Sequence, residues 1–341
     1  MTTQFDTTVL IAGAGPAGSV CGYLLHRAGV PCIVIDFATF PRDKICGGGL
    51  TPKAWRLLDE LMPGVQYDYN PVTRVRLDID GHRGCEFDAA VPIRITQRRR
   101  LDHQLLTCYL QAGGSFLKDG LQTVEERADG TIAVGTKQGR TITCRYLVGA
   151  DGSNSLVRRY LTGRRDTGIL AMEQYAERKP GNSIDVELSN KYEVGGYFFR
   201  FPNQEHDVVG YGDVRTTREK FRRVLSDKGY ADGKIRGAYI YLSNDYPLHD
   251  HIILIGDAGG FANRTTCEGL YDAFTTARNA MLAITTGRPF SEVNRHIFRK
   301  MKREVLVTKV FFSRPALFVL RQMCRCPRLV KACFDYKMQN E

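Results

Sequence analysis

The sequence predicts an α/β fold in which a helix-wound parallel sheet is interrupted by an antiparallel sheet and followed by a helical segment. Three observations carry that expectation. A β-branched run, Thr8-Val9-Leu10-Ile11, gives way to glycines, an apolar-periodic stretch and a second run ending on an acid, Cys32-Ile33-Val34-Ile35-Asp36. That order is strand, turn, helix, strand. Two later apolar runs, Tyr146-Leu147-Val148-Gly149-Ala150 and Ile252-Ile253-Leu254-Ile255, lead straight into turns that carry an aspartate. Elsewhere, residues 72–96 and much of 165–247 alternate polar and apolar, as strands with one buried face do.

Taken in order, residues 1–45 read as β-α-β. Pro41 and Gly47-Gly48-Gly49 break the pattern; Thr51-Pro52 then has the form of an N-cap with proline at the first helical position, opening a helix through Ala54, Leu57, Leu58 and Leu61. Val75, Leu77 and Ile79, then Phe87, Val91, Ile93 and Ile95, mark strands, and Arg98 to Leu110 reads as a helix. Residues 114–148 give a strand, a hairpin turning at Asp129-Gly130, and a further strand. Ile184–Leu188 and Tyr197–Phe201 alternate, a short helix falls near 216–229, and the chain is helical from Leu270 onward. The expected organisation is a discontinuous first domain (1–70, 97–165 and 248–290), a β-rich second domain (71–96 and 166–247) and a basic helical segment (291–341).

Composition narrows the class. The chain has 341 residues, 43% hydrophobic and 25% charged, enough to bury a large core. No N-terminal stretch joins a basic segment to a long apolar run, so no secretion signal is expected. Apolar runs such as Ala316–Leu320 fall far short of the ~20 residues a spanning helix needs. The ten cysteines are scattered without a CxxC pair or zinc-type spacing, so no metal site is expected and a reducing, cytoplasmic setting fits. Net charge is +11, and from Arg295 to the end twelve Lys/Arg face three Asp/Glu, so nearly all of the surplus belongs to the C-terminal segment.

The first glycines have separable duties. Gly13-Ala14-Gly15-Pro16-Ala17-Gly18 has GxGxxG spacing: Gly13 permits the tight turn, Gly15 lets backbone approach a pyrophosphate, and Gly18 lets helix and strand pack closely. The helix N-terminus that follows offers free N–H groups to phosphates. Asp36, at the end of the second strand, can accept hydrogen bonds from ribose hydroxyls. The motif alone leaves NAD and FAD equally open.

Two further anchors bear on that choice. Asp151-Gly152-Ser153-Asn154-Ser155 and Gly256-Asp257-Ala258-Gly259-Gly260 each put a carboxylate at the C-terminal end of a strand, where open α/β sheets bind ligands. Glu268-Gly269-Leu270 then opens a long helix. Three anchors in this order resemble the FAD-dependent family related to the aromatic hydroxylases. The resemblance implies a Rossmann-like FAD-binding domain in which the glycine motif holds the ADP half of FAD. It implies that Asp151 lies near the pyrophosphate, that Asp257 binds the ribityl chain, and that Gly269 and Leu270 face the pyrimidine edge of the flavin. Arg98 matches the family's arginine on a helix beside the flavin. It further implies a cofactor set that includes Ala14, Pro16, Ala17, Phe37, Arg42, Cys46, Gly47 and Leu121, with NADPH or another donor supplying electrons.

Within that family, Phe40-Pro41-Arg42-Asp43-Lys44-Ile45-Cys46-Gly47-Gly48-Gly49-Leu50 resembles the cysteine–glycine signature of the geranylgeranyl reductase-like flavoproteins. Tyr197-Phe198-Phe199-Arg200-Phe201-Pro202 resembles their Tyr-x-Trp-x-Phe-Pro strand, with Phe199 in place of tryptophan. Such enzymes saturate C=C bonds of isoprenoid lipids, which implies a hydrophobic substrate and candidate site residues Cys46, Tyr197 and Phe199. Ordinary burial in a sheet core remains the competing reading of those aromatic residues. The family's Pro-x-x-Gly-Glu-Gly loop stands here as Arg264-Thr265-Thr266-Cys267-Glu268-Gly269.

Other functions use the same scaffold: an NAD(P)H-dependent monooxygenase acting on a small aromatic, a halogenase (whose motif Gly196–Pro202 echoes loosely, without its tryptophans), or a flavin-bearing protein without catalysis. In the C-terminal segment Val305, Leu306, Val310, Phe311, Leu317, Phe318, Leu320 and Met323 mix with lysines and arginines. Two expectations stand side by side: a helical cap with solvated basic residues, or peripheral contact with the inner face of an anionic membrane. No motif points to nucleic acid.

Overall fold

The computed structural model describes residues 6–164, 168–189, 197–213, 216–243 and 245–340. Gly196, which opens the halogenase-like echo, lies outside the described residues, as do 165–167 at the expected domain junction.

The chain starts as β1 (Thr7–Ala12), α1 (Pro16–Arg27) and β2 (Cys32–Asp36). It continues through a two-residue strand β3 (Gly49–Leu50), α2 (Pro52–Leu61) and a long hairpin, β4 (Asn70–Ile79) and β5 (His82–Ile95). Next come α3 (Arg98–Gln111), β6 (Ser115–Lys118), β7 (Leu121–Glu126), β8 (Ile132–Thr136), β9 (Thr141–Gly149) and α4 (Leu156–Thr162). A second excursion holds β10 (Gly168–Ala176), β11 (Ser183–Leu188), β12 (Tyr197–Pro202), β13 (Asp207–Asp213), α5 (Arg218–Asp227) and β14 (Arg236–Tyr241). The chain returns as β15 (Ile252–Leu254) and a 3-10 turn at Gly256–Gly259. It ends in α6 (Leu270–Thr286), α7 (Phe290–Val293), α8 (Arg295–Phe311), α9 (Arg314–Met323) and α10 (Pro327–Gln339).

The first sheet runs β6-β2-β1-β9-β8-β7, with β15 on the far side of β9. β6, β2, β1, β9 and β15 are parallel, which puts the ends of β1, β9 and β15 side by side. Both faces are covered, so these strands are near-continuous apolar runs. On one face Val9, Ile11, Val34 and Val148 pack against Val20, Leu25, Leu105 and Phe274 of α1, α3 and α6. On the other, Leu10, Ile35, Leu147 and Leu254 meet Val134 and Val157.

The second sheet runs β14-β10-β13-β12-β11-β4-β5-β3. It is antiparallel apart from β4 and β11, which pair in parallel. The exception follows from the chain path: β5 leads into the first sheet and the chain comes back only at β10, so β11 reaches β4 by a long crossover, not a hairpin. α5 covers one face, where Phe221, Val224 and Leu225 pack on Met172, Phe198, Val209 and Tyr211. The glycine run expected as a break is partly strand, because Gly49 and Leu50 pair with Ile95 and Arg94. Gly48 makes that possible: its φ is +76°, and a Cβ there would lie 1.9 Å from the Thr96 carbonyl oxygen.

The basic C-terminal segment is a cap in part. Phe312, Leu317, Cys324 and Val330 pack on Val75, Ile79, Cys85 and Phe87 of the β4–β5 hairpin, and the Ala90 N–H donates to Asp335 Oδ1 at 2.9 Å. Its outer side keeps Leu306, Val307, Val310, Phe318 and Val319 exposed. Among the described residues no helix is long and apolar enough to cross a membrane, and no His/Cys/Asp/Glu group could hold a metal.

Candidate functional site

The turn after β1 meets the end of β9. A Cβ on Gly13 (φ +106°) would lie 2.4 Å from the Ala150 carbonyl oxygen, and one on Gly18 1.8 Å from the Gly13 carbonyl oxygen. Those two glycines are required by the protein itself. Gly15 differs: the nearest atom to a Cβ there is Arg42 Nη2 at 3.5 Å. The protein's own packing therefore does not require a glycine at position 15. Gly15 is also the N-cap of α1, with no side chain on the helix N–H groups and Pro16 in the first turn. Asp36 steadies this turn, accepting from Ala14 N and Ala38 N, both at 2.8 Å. Phe37 beside it is 70% exposed with Lys137 Nζ 4.7 Å over its ring, whereas Leu121 is buried with Ile35.

Arg42 and Arg98 are tied to one carboxylate. Asp102, fully buried, takes two bonds from Arg98 at 2.7 and 3.0 Å, and Arg42 Nη2 lies 3.3 Å away. Burial works against the Arg98 charge, but Asp102 and the Cys46 thiol more than restore it and hold the guanidinium above its usual value. The i, i+4 spacing on α3 makes the Arg98–Asp102 pair, and Asp102 thereby links the glycine turn to the Cys46 segment.

The strand-end acids separate in role. Asp151 turns onto its own chain: Oδ2 accepts from Leu156 N at 2.7 Å and Val157 N at 3.4 Å, at the start of α4. Burial nonetheless raises its pKa. Asp257, in the turn after β15, has Ser153 Oγ 3.5 Å from its Oδ2. A Cβ on Gly269 would come 3.1 Å from Asp257 Oδ1, so that acid and the uncapped N-terminus of α6 share one place. Arg158 holds these turns together, donating to Ala258 O at 2.7 Å and Ser153 O at 2.6 Å.

The second sheet supplies an aromatic wall. On β12, Phe198 faces α5, while Tyr197, Phe199 and Phe201 are half-buried on the opposite face. Their rings form a ladder, 6.1 Å from Tyr197 to Phe199 and 5.0 Å from Phe199 to Phe201. Gly47 lies against it; a Cβ there would be 2.5 Å from Phe201 and 3.1 Å from Phe199. The Tyr197 hydroxyl donates to Thr266 O at 2.6 Å and sits beside the Cys267 thiol. Burial pushes that thiol up to about 11.

The altered loop keeps the backbone of a glycine loop. Cys267 has φ +54°, a left-handed conformation that a side chain adopts at some cost. Arg264 donates to Ser243 O, and its N–H to Glu304 Oε2 at 3.1 Å. Glu268 accepts from Thr51 Oγ1 and pairs with Lys53 at 3.4 Å. Nearby, the buried Asp272 pairs with Lys300 at 2.6 Å; burial pushes this carboxyl up to about 6 against the pull of Lys300.

Contacts therefore link Gly15 to Arg42, Arg42 and Arg98 through Asp102, Arg98 to Cys46, Gly47 to Phe199 and Phe201, Ala17 to Gly256, and Asp257 to Gly269. Asp102, Arg158 and Lys53 have no motif of their own, because each also binds a partner distant in the chain: Arg42, Ala258 and Glu268. Asp102 alone had a local signal, its spacing from Arg98. Open space at Gly15, two uncapped helix starts and a strand-end acid fit a dinucleotide cofactor.

A family model described as FAD binding domain matches residues 6–186. A menaquinone reductase of Mycolicibacterium smegmatis is 29% identical over 327 residues, covering 84% of this chain and 78% of its own. The chloroplastic geranylgeranyl diphosphate reductase of Nicotiana tabacum is 23% identical over 373 residues, covering 96% and 80%. A geranylgeranyl bacteriochlorophyll reductase-like structure from Thermoplasma acidophilum superposes with TM-score 0.75 at 18% identity, covering 96% of this chain and 98% of that one. At that identity the superposition speaks for the fold.

Proposed function

The chain belongs to the FAD binding domain family as a geranylgeranyl reductase-like, FAD-dependent oxidoreductase, and from that premise we propose that it reduces C=C bonds of an isoprenoid or other hydrophobic substrate. The observation that carries this reading is the Tyr197–Phe199–Phe201 ladder set against the Cys46–Gly49 run. An apolar wall suits an apolar chain and keeps water from a reactive reductant. Relatives named menaquinone reductase and geranylgeranyl diphosphate reductase support a reductase reading.

When bound, reduced FAD supplies a hydride. The chain's own residues would hold and shield it: the α1 N-terminus and Arg42 for the pyrophosphate, Asp36 for the adenosine ribose, and Asp257 for the ribityl chain. The uncapped start of α6 at Gly269 and Leu270 would stabilise negative charge on the reduced ring. Arg98, held by Asp102, stands beside Cys46 on the same side. NADPH or another reductant is the proposed electron source.

We place the substrate's source at an anionic membrane. The exposed Leu306, Val307, Val310, Phe318 and Val319 are interleaved with exposed Lys302, Arg303, Lys309, Arg314 and Arg321, the composition of a helix surface that lies on lipid. The protein should sediment with anionic liposomes and be released by salt; full recovery in the supernatant at low salt would refute this.

The activity test is anaerobic. Purified protein should be yellow, and its reduced flavin should be reoxidised by a polyprenyl alkene without oxygen. Reoxidation by oxygen alone, with a hydroxylated phenol as product, would make it a monooxygenase.

A further inference from the structure

Saturating a double bond takes a proton at one carbon as well as a hydride at the other, so the reductase reading calls for an acid inside the site. Residues paired directly across neighbouring strands share a sheet face. One such row runs Arg236, Glu173, Gly210, Phe199 across β14, β10, β13 and β12. Gly210 has no side chain, and the Phe199 ring fills its place: a Cβ there would lie 2.2 Å from Phe199 Cζ. Glu173 therefore borders the aromatic ladder on the face opposite α5, the face that meets the Cys46 run.

The Glu173 side chain is 2% exposed. Its Oε1 accepts from Arg236 Nη2 at 2.8 Å, while Oε2 has no hydrogen-bond partner among the described residues. Besides Arg236 on β14, the Arg98 charge on α3 and the Cys46 main chain before β3 also bear on the carboxyl. Asp43 lies 4.0 Å from Arg236, whose guanidinium stacks on Tyr175 at 4.0 Å. Burial outweighs the cations and pushes the carboxyl up to about 7, so a large share of it is protonated at neutral pH.

Resting on the reductase reading, we propose that Glu173 is the proton donor of the reaction. With the hydride and its electron pair forming one C–H bond, the alkene π pair forms the second with the Glu173 proton. The O–H electron pair stays on the carboxylate, beside Arg236, and water restores the proton. A group poised near the working pH is suited to that task.

The test uses the FAD-loaded enzyme and its Glu173→Gln and Glu173→Asp variants. Glu173→Gln should bind FAD and be reduced by dithionite like the parent, yet lose about 100-fold or more in anaerobic reoxidation by a polyprenyl alkene. The parent rate should fall as pH rises through about 7, and that dependence should vanish in Glu173→Gln. Independently of turnover, infrared difference spectra of the parent between acid and alkaline pH should show a protonated-carboxyl band that Glu173→Gln lacks. A Glu173→Gln rate within about threefold of the parent, or no such band, overturns the proposal. If Glu173→Gln does not hold FAD, Glu173→Asp decides: a displaced pH break supports it and an unmoved one overturns it. A parent that reduces no alkene while showing the band sinks the reductase reading and this role with it.

Discussion

Gly15 and Gly18 stand three residues apart in one motif, and replacing each with alanine should fail in opposite ways. At Gly18 the new Cβ would sit 1.8 Å from the Gly13 carbonyl oxygen. Ordinary contact is about 3.5 Å, so α1 would have to move well over an ångström from the sheet it covers. Forced overpacking of a backbone contact costs about 3 kcal/mol or more, enough to remove much of a domain's net stability. At Gly15 the new Cβ meets only Arg42 Nη2, at 3.5 Å, and φ is −70°. The apoprotein should therefore stay within about 0.5 kcal/mol of the parent. The cost should fall on FAD, with a dissociation constant raised about 100-fold, or about 2.7 kcal/mol. Thermal melts with and without FAD, together with flavin fluorescence titration, separate the two. Gly15→Ala should melt like the parent when apo and gain little from FAD, whereas Gly18→Ala should melt low in both. A Gly15→Ala protein that binds FAD within about threefold of the parent would refute the inference that the space at Gly15 is kept for the cofactor.

Lys300→Met should leave Asp272 buried beside uncompensated charge. The folded-state pKa of Asp272, raised from 3.8 to about 6, makes its contribution greatest at low pH and lost as pH rises through about 6. Without Lys300 that pKa climbs further, so the variant should lose about 3 kcal/mol at pH 8 and much less at pH 5; a loss that ignores pH in denaturant titrations would count against the buried pair. Cys267→Gly should relieve a φ of +54° and stabilise the holoenzyme slightly, by up to about 1 kcal/mol after the flexibility glycine adds to the unfolded chain; a drop of more than about 2 kcal/mol would show that the buried thiol outweighs the strain. Phe318→Asp with Leu306→Asp removes two exposed apolar side chains. The double variant should keep its melting temperature and lose liposome binding, and unchanged sedimentation would refute the membrane surface.

Much of this protein was legible one segment at a time. The glycine motif, the Asp36 terminus of β2 and the two Asp-bearing strand ends are local patterns, because a parallel sheet buried on both faces leaves continuous apolar runs that end where ligands bind. Period-two alternation likewise announced the second sheet, and on β12 the structure divided it, giving Phe198 to the core and Tyr197, Phe199 and Phe201 to the wall. Which face is which depends on the position of α5, and no spacing within the strand carries that. The same holds for Gly15 against Gly18, identical letters of one motif that differ only in what stands opposite them. Arg158 and Glu173 were hidden because their partners, Ala258 and Arg236, are brought to them only by the fold, and Asp102, paired locally with Arg98, meets Arg42 in the same way. The cofactor scaffold is written in contiguous backbone turns, so short segments already carry its chemistry. The wall, the clamps and the acid are relations between side chains far apart in the chain, and they exist only once the fold brings those residues together.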